Sequence, residues 1–139
     1  MSLHVLDTDV VTLYGEGVEP LLSRIDARPP DELGITVITV EEQLTGWYNF
    51  IRQARQPADL AHGYRRLAEA IPFLDQWAIL PFTEAAMARV VDWQKMRLNV
   101  RKMDLRIAAV ALEHGAIVVT RNLRDFGRIP GVTAENWAA

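Results

Sequence analysis

The sequence predicts an α/β fold on a mainly parallel sheet of four to five strands, and two observations carry that expectation. Short apolar runs recur between longer stretches of helical periodicity, and the runs do not alternate apolar with polar residues. Strands covered on both faces read this way, whereas a sheet with one wet face would alternate. The chain has 139 residues, 50% of them apolar and 24% charged. That is material for one packed core and little length for a second, so residues 1–139 are expected to form a single domain.

Each element has its own signal. His4–Leu6 is an apolar run that ends at Asp7-Thr8-Asp9, which predicts a buried strand entering a helix N-cap. Val10–Tyr14 is then a short helix closed by Gly15 and Gly17, and Leu21, Leu22 and Ile25 mark a second within Val18–Asp26, stopped by Pro29-Pro30. Leu33–Ile38 is β-branched and short, a second strand. From Val40, the spacing of Leu44, Trp47 and Ile51 is helical until Pro57. Asp59 is expected to cap the next helix, with Leu60, Tyr64, Leu67 and Ile71 on one face and Pro72 near its end. Trp77–Leu80 reads as a third strand stopped by Pro81, and Thr83 as the cap of a helix containing Ala86, Val90 and Trp93. Asp104–His114 is a further helix, closed by Gly115 at the position where a left-handed residue ends a helix. Ala116–Val119 is the fourth strand and Val132–Ala134 a short fifth. Gly46, in mid-helix, predicts close helix packing, and Trp47, Tyr48 and Phe50 a core or subunit interface.

Composition excludes several classes of function. With no cysteine there is no disulfide, thiolate nucleophile or Cys-ligated zinc. Asp7 and Asp9 interrupt the start before any signal-peptide apolar region, and no uncharged run approaches the ~18 residues that span a bilayer. A cytoplasmic protein with no membrane segment is expected. The net charge of −3 is uneven: residues 1–60 hold 10 acids and 4 bases, residues 61–139 hold 8 acids and 11 bases. Bulk charge is wrong for nucleic-acid binding, but Arg89, Lys95, Arg97, Arg101, Lys102 and Arg106 leave room for a local basic patch.

In open parallel sheets, functional groups gather beyond the carboxyl ends of the strands. Acids fall there repeatedly: Asp7 and Asp9 after the first strand, Glu42 after the second, and Asp125 after the fourth, with Asn122 beside it. Asp104 opens the helix that feeds the fourth strand and shares that edge if helix and strand run antiparallel. Such carboxylates repel unless a cation neutralises them, and hard oxygen donors favour Mg²⁺ or Mn²⁺ over zinc. Each acid also has a local structural explanation. Asp7 and Asp9 can cap a helix, Glu42 can complete a capping box with Thr39, and Asp125 can cap a short turn. Asp104 resists that explanation. It is in helical phase with Ile107, Ala108 and Ala111, which points a charge towards the core. His4, His62 and His114 have no metal-ligand spacing.

Four segments carry a resemblance. Leu6-Asp7-Thr8-Asp9-Val10, the stretch Thr39 to Gly46, the stretch Asp104 to Ala109, and Thr120-Arg121-Asn122-Leu123-Arg124-Asp125-Phe126 resemble the four motifs of the PIN domain, in order and at family spacing. The likeness is to the VapC-type toxins of bacterial toxin–antitoxin pairs, and the ending from Arg128 to Trp137 is similar too. The resemblance implies a three-layer α/β/α domain. It implies a Mg²⁺- or Mn²⁺-dependent endoribonuclease that cuts RNA, forms a homodimer and is neutralised by a VapB-like antitoxin.

On this resemblance the catalytic and metal-binding acids fall on Asp7, Glu42, Asp104 and Asp125, with Asp9, Thr120 and Asn122 in support. Asp7 and Asp104 are the principal ligands, Glu42 a ligand or water-orienting base, and Asp125 a more distant or second-metal ligand. Arg101, Lys102 and Arg121 are candidates for phosphate steering. Asp9 stands where the family often has Asn, Met103 where Asn often precedes the third acid, and Gln43 where Leu is common. Two alternatives stay open: a haloacid-dehalogenase-like phosphotransferase using Asp7, and a non-catalytic RNA- or protein-binding module of the same fold. The first wants a lysine beyond a late strand, and Lys95 and Lys102 do not follow one.

Overall fold

The computed structural model describes residues 2–139. Five strands, β1 (His4–Leu6), β2 (Leu33–Thr36), β3 (Ala78–Leu80), β4 (Ile117–Val119) and β5 (Ala134–Glu135), pair in the order β3-β2-β1-β4-β5. Every pairing is parallel. β1 and β2 are buried along their whole length, as expected of central strands covered on both faces. The chain starts mid-sheet, adds β2 and β3 on one side, then crosses to add β4 and β5 on the other. The winding therefore reverses between β1 and β4, and a crevice opens there at the carboxyl edge.

Among the described residues, seven α-helices cover the sheet: α1 (Thr8–Gly15), α2 (Leu21–Asp26), α3 (Val37–Gln53), α4 (Pro57–Asp75), α5 (Glu84–Lys95), α6 (Lys102–Glu113) and α7 (Leu123–Phe126). Two apolar clusters form, one on each face. Val5 and Val118 meet Val90, Trp93, Ile107 and Ala108 of α5 and α6. Their chain neighbours Leu6 and Val119 meet Val10, Leu21, Ile25 and Trp77 on the opposite face. Successive strand side chains point to opposite faces, so one short strand feeds both cores.

Several boundaries move for local reasons. β2 ends at Thr36 rather than Ile38, because the Thr36 hydroxyl accepts a 3.3 Å hydrogen bond from the Thr39 N–H and starts α3 at Val37. The cap outweighs the β preference of Val37 and Ile38. Asp59 is not the cap of α4. Gln56 takes that place with Pro57 as the first helical residue, and Asp59 lies in the first turn. Pro72 lies inside α4, which runs on to Asp75. Trp77 drops out of β3 into the core, and β5 begins at Ala134, later than the expected strand. Gly115 ends α6 as expected: its φ is 61°, and the N–H of Ala116 reaches the Ala111 carbonyl at 2.9 Å.

The α3–α4 pair corrects the expectation for Gly46. A Cβ placed at Gly46 would meet nothing within 4 Å, so this glycine makes no close contact. The close approach is at Gly63 instead, where a Cβ would lie 2.8 Å from Ile51 Cγ1 and 2.9 Å from Phe50 Cδ1. Gly46→Ala is therefore expected to stabilise the protein by about 0.5–1 kcal/mol in denaturant unfolding. Gly63→Ala is expected to destabilise it, because packing strain outweighs the same helical gain. Tyr48 and Phe50 are exposed rather than core, as are Leu60, Tyr64 and Ile71. The buried residues of α4 are Gly63, Ala70 and Leu74. Among the described residues, no helix is long and apolar enough to cross a membrane.

Candidate active site

β1 delivers Asp7 to the crevice. The Asp7 N–H donates to the Val119 carbonyl at 3.0 Å, tying the end of β1 to β4. Its side chain caps α1, accepting from the Val10 N–H at 2.9 Å, and the residue is 6% exposed. Thr120, fully buried just beyond β4, lies beside the same carboxylate and favours its charged form. α6 precedes β4 and brings its N-terminus to this edge. Leu105, Ile107 and Ala108 seat that helix in the core, which leaves Asp104 5% exposed at the crevice. Asp7, Thr8, Asp9, Arg101, Asp104, Arg121 and Asn122 line one pocket.

Burial pushes the Asp7 carboxyl up to about 6. The Thr120 hydroxyl and the Val10 N–H pull it back, and the charges of Asp9 and Asp104 add to the rise. Two arginines offset the remaining acids. Arg101 grips Asp104 through Nη2 and Nε, at 2.9 and 3.2 Å, and its Nη1 lies 4.0 Å from Glu42 Oε2. Arg121 grips Asp9 in the same forked manner, at 2.8 and 3.1 Å.

The structure brings most of the expected residues together. Asp7, Asp9, Asp104, Asn122, Arg101 and Arg121 share the pocket, and Thr120 backs Asp7. Glu42 adjoins it, its Oε1 accepting from the Thr8 hydroxyl at 2.6 Å. The capping box expected for Glu42 is not formed: Thr36 is the cap, and Thr39 is buried against the Thr8 hydroxyl at 3.0 Å. Asp125 stands apart. It is not in the pocket lining, and its oxygens are taken by Asn122 at 2.8 Å and Arg128 at 3.1 Å. Nor does it cap α7, because Asn122 does. Lys102, exposed at the start of α6, also lies outside the lining. Thr8 is the residue that sequence reasoning overlooked. Its only signal was a hydroxyl between two acids at a helix start.

Among the described residues, no three His, Cys, Asp or Glu side chains are assembled closely enough to hold a metal ion. The donors themselves suit one. Asp7 and Asp104 are buried carboxylates in one pocket, and Glu42 is joined to Asp104 through a shared cationic partner. An all-oxygen set of this kind matches Mg²⁺ or Mn²⁺. No lysine lines the pocket, as a haloacid-dehalogenase-like phosphotransferase would require.

Residues 5–132 match the model of the PIN domain. This chain belongs to the PIN domain family. Among curated relatives it is similar to ribonuclease VapC2 of Haemophilus influenzae, 29% identical, with 99% of each chain covered. It is also similar to the tRNA(fMet)-specific endonuclease VapC of Salmonella typhimurium, 35% identical over 52% of this chain and 58% of that one. Among solved structures it resembles DNA-bound VapBC from Salmonella typhimurium, with a TM-score of 0.78, 26% identity and 99% of both chains covered. In this PIN domain Asp7 and Asp104 are the two acids buried at the pocket, while Asp125, hydrogen-bonded by Arg128, lies outside its lining.

Proposed function

We propose that residues 1–139 act as one PIN domain, a Mg²⁺- or Mn²⁺-dependent endoribonuclease toxin of the VapC type. It cuts RNA phosphodiester bonds and is neutralised by a VapB-like antitoxin. The observation that carries this reading is the pair of buried carboxylates, Asp7 and Asp104, lining one pocket with Arg101 and Arg121 at a sheet switch point. Burying two acids together is unfavourable in a protein with no cation to receive. Relatives named as ribonucleases over the whole chain length support the substrate class, and a VapBC complex of the same fold supports the antitoxin.

In this reading Asp7 and Asp104 hold the cation, with Glu42 as third ligand or as the group that orients the attacking water. When bound, the cation supplies charge that acidifies a water and offsets the negative charge of in-line displacement at phosphorus. Thr8 fixes Glu42 by its 2.6 Å hydrogen bond, and Thr120 fixes Asp7. Asp9, locked to Arg121, sets where that guanidinium meets the RNA backbone, while Arg101 and Lys102 add positive charge at the mouth of the pocket. Asp125 acts as a positioning residue that holds Asn122 at the pocket rim. The exposed apolar side chains Tyr48, Phe50, Leu60, Tyr64 and Ile71 offer α3 and α4 as surface for the antitoxin or for a second copy in a homodimer.

The test is cleavage of single-stranded or looped RNA by antitoxin-free protein with Mg²⁺ or Mn²⁺, against the same reaction in excess EDTA. Metal-dependent internal cuts are expected. Full activity in EDTA would exclude the metal mechanism, and no cleavage under any condition would favour a non-catalytic binding module. Asp125→Ala is expected to slow cleavage by only about tenfold, as the loss of a positioning contact does. A loss as complete as that of an Asp7 variant would place Asp125 among the ligands.

A further inference from the structure

Arg101 lies between two of the acids assigned to the cation, Asp104 and Glu42. Both oxygens of the buried Asp104 carboxylate engage its guanidinium, at 2.9 and 3.2 Å, and its Nη1 is 4.0 Å from Glu42 Oε2. The other oxygen of Glu42 is taken by Thr8. One guanidinium therefore spans two of the three acids assigned to the metal. The connection that delivers it is constrained: Arg97 and Asn99 adopt left-handed φ values of 53° and 60°, a conformation that costs energy for residues other than glycine. Arg128, paired with Asp125, donates to the Asn99 carbonyl at 3.1 Å and pins that connection from the segment after α7. Yet the Arg101 side chain itself is 65% exposed. Its head can swing into water at little desolvation cost, unlike a buried partner.

We propose that Arg101 is a built-in counter-ion that competes with the divalent cation for Asp104 and Glu42 and so gates metal loading. The proposal rests on the metal-dependent reading above. In the metal-free protein the guanidinium neutralises the acids, and a metal binds only the fraction of molecules in which it has moved away. The apparent affinity is lowered by that fraction. A displaced guanidinium remains at the mouth of the pocket, where an RNA phosphate is its natural bidentate acceptor. RNA that captures Arg101 therefore raises metal affinity, and by linkage metal raises RNA affinity.

The experiment is calorimetric titration of MnCl₂ into antitoxin-free full chain, as wild type, Arg101→Gln and Arg101→Lys, with thermal unfolding of each in EDTA and in saturating Mn²⁺. Arg101→Gln is expected to bind Mn²⁺ about five- to tenfold more tightly, the scale of one partly exposed charge-assisted contact. Its unfolding temperature should fall in EDTA, and its gain on adding Mn²⁺ should exceed that of wild type. Arg101→Lys, which keeps the charge but loses the fork, should fall between the two. Equal or weaker Mn²⁺ binding by Arg101→Gln, with wild type still binding, overturns the gating role and leaves the metal-dependent reading standing. If neither wild type nor variant binds Mn²⁺, both are overturned.

Discussion

Asp7→Asn is expected to yield a protein that unfolds at a higher temperature near neutral pH and no longer cleaves RNA. The Asp7 carboxyl ionises at about 6 in the folded chain against 3.8 for an ordinary aspartate, chiefly because it is buried. A folded-state pKa above the unfolded one means that the native state binds the proton more tightly. Stability is then greatest below about pH 4 and falls as pH rises through the folded value. Above pH 6 the accumulated cost is about 3 kcal/mol, the free-energy equivalent of that shift. Asparagine carries no charge to desolvate and caps α1 about as well. The variant should gain about 1–3 kcal/mol at pH 7.5 in metal-free buffer, and its stability should lack the wild-type decline between pH 4 and 6. Urea unfolding of both proteins across that range in EDTA measures the difference. Parallel pH profiles would mean that Asp7 ionises normally. Cleavage should fall by at least about a hundredfold in saturating Mg²⁺, because a hard cation loses an anionic ligand.

Asp104→Asn is expected to abolish cleavage to a similar extent with little change in metal-free stability. Two effects oppose each other. Removing the charge relieves its repulsion of Asp7, but it also ends the forked pair with Arg101. That arginine is mostly exposed, so the pair is screened and the net change should stay within about 1 kcal/mol. A capping role predicts something else. Asparagine would replace the aspartate and leave activity intact, yet the N-terminus of α6 has Arg101 at the cap position with no side-chain cap. Cleavage at the wild-type rate by Asp104→Asn would remove this residue from the site. A loss of several kcal/mol would make it a structural ion pair first.

These effects separate what is local from what is not. The strand-to-helix turn at Asp7 is encoded within a few residues: an apolar run, then an acid that can cap, then a helical segment. The same holds for Gly115, where a left-handed residue at a helix end follows from the missing side chain. The inward phase of Asp104 is a matter of helical period, and the sequence determined it without help from the rest of the chain. These signals put Asp7 at the carboxyl edge of the sheet, and Asp104 with it once α6 runs antiparallel to β4.

Partnerships across the fold were decided only in three dimensions. Thr39, a capping candidate by its sequence, is instead engaged by the Thr8 hydroxyl at 3.0 Å, 31 residues away in the chain. Asp125 takes local partners, Asn122 and Arg128, each three residues away, but the carbonyl that holds Arg128 comes from the connection between α5 and α6. α3 and α4 approach each other at Gly63, where a Cβ would lie 2.8 Å from Ile51 Cγ1, and nothing in the local apolar pattern of either helix marks that contact. Residue type and period set which groups can do chemistry and which way they point from their own element. Which charge neutralises which acid depends on distances of a few ångströms between segments far apart in the chain. Coulomb energies and hydrogen bonds fall off over that scale, so the approach of Arg101 to Glu42 and the pairing of Arg121 with Asp9 belonged to the tertiary structure alone.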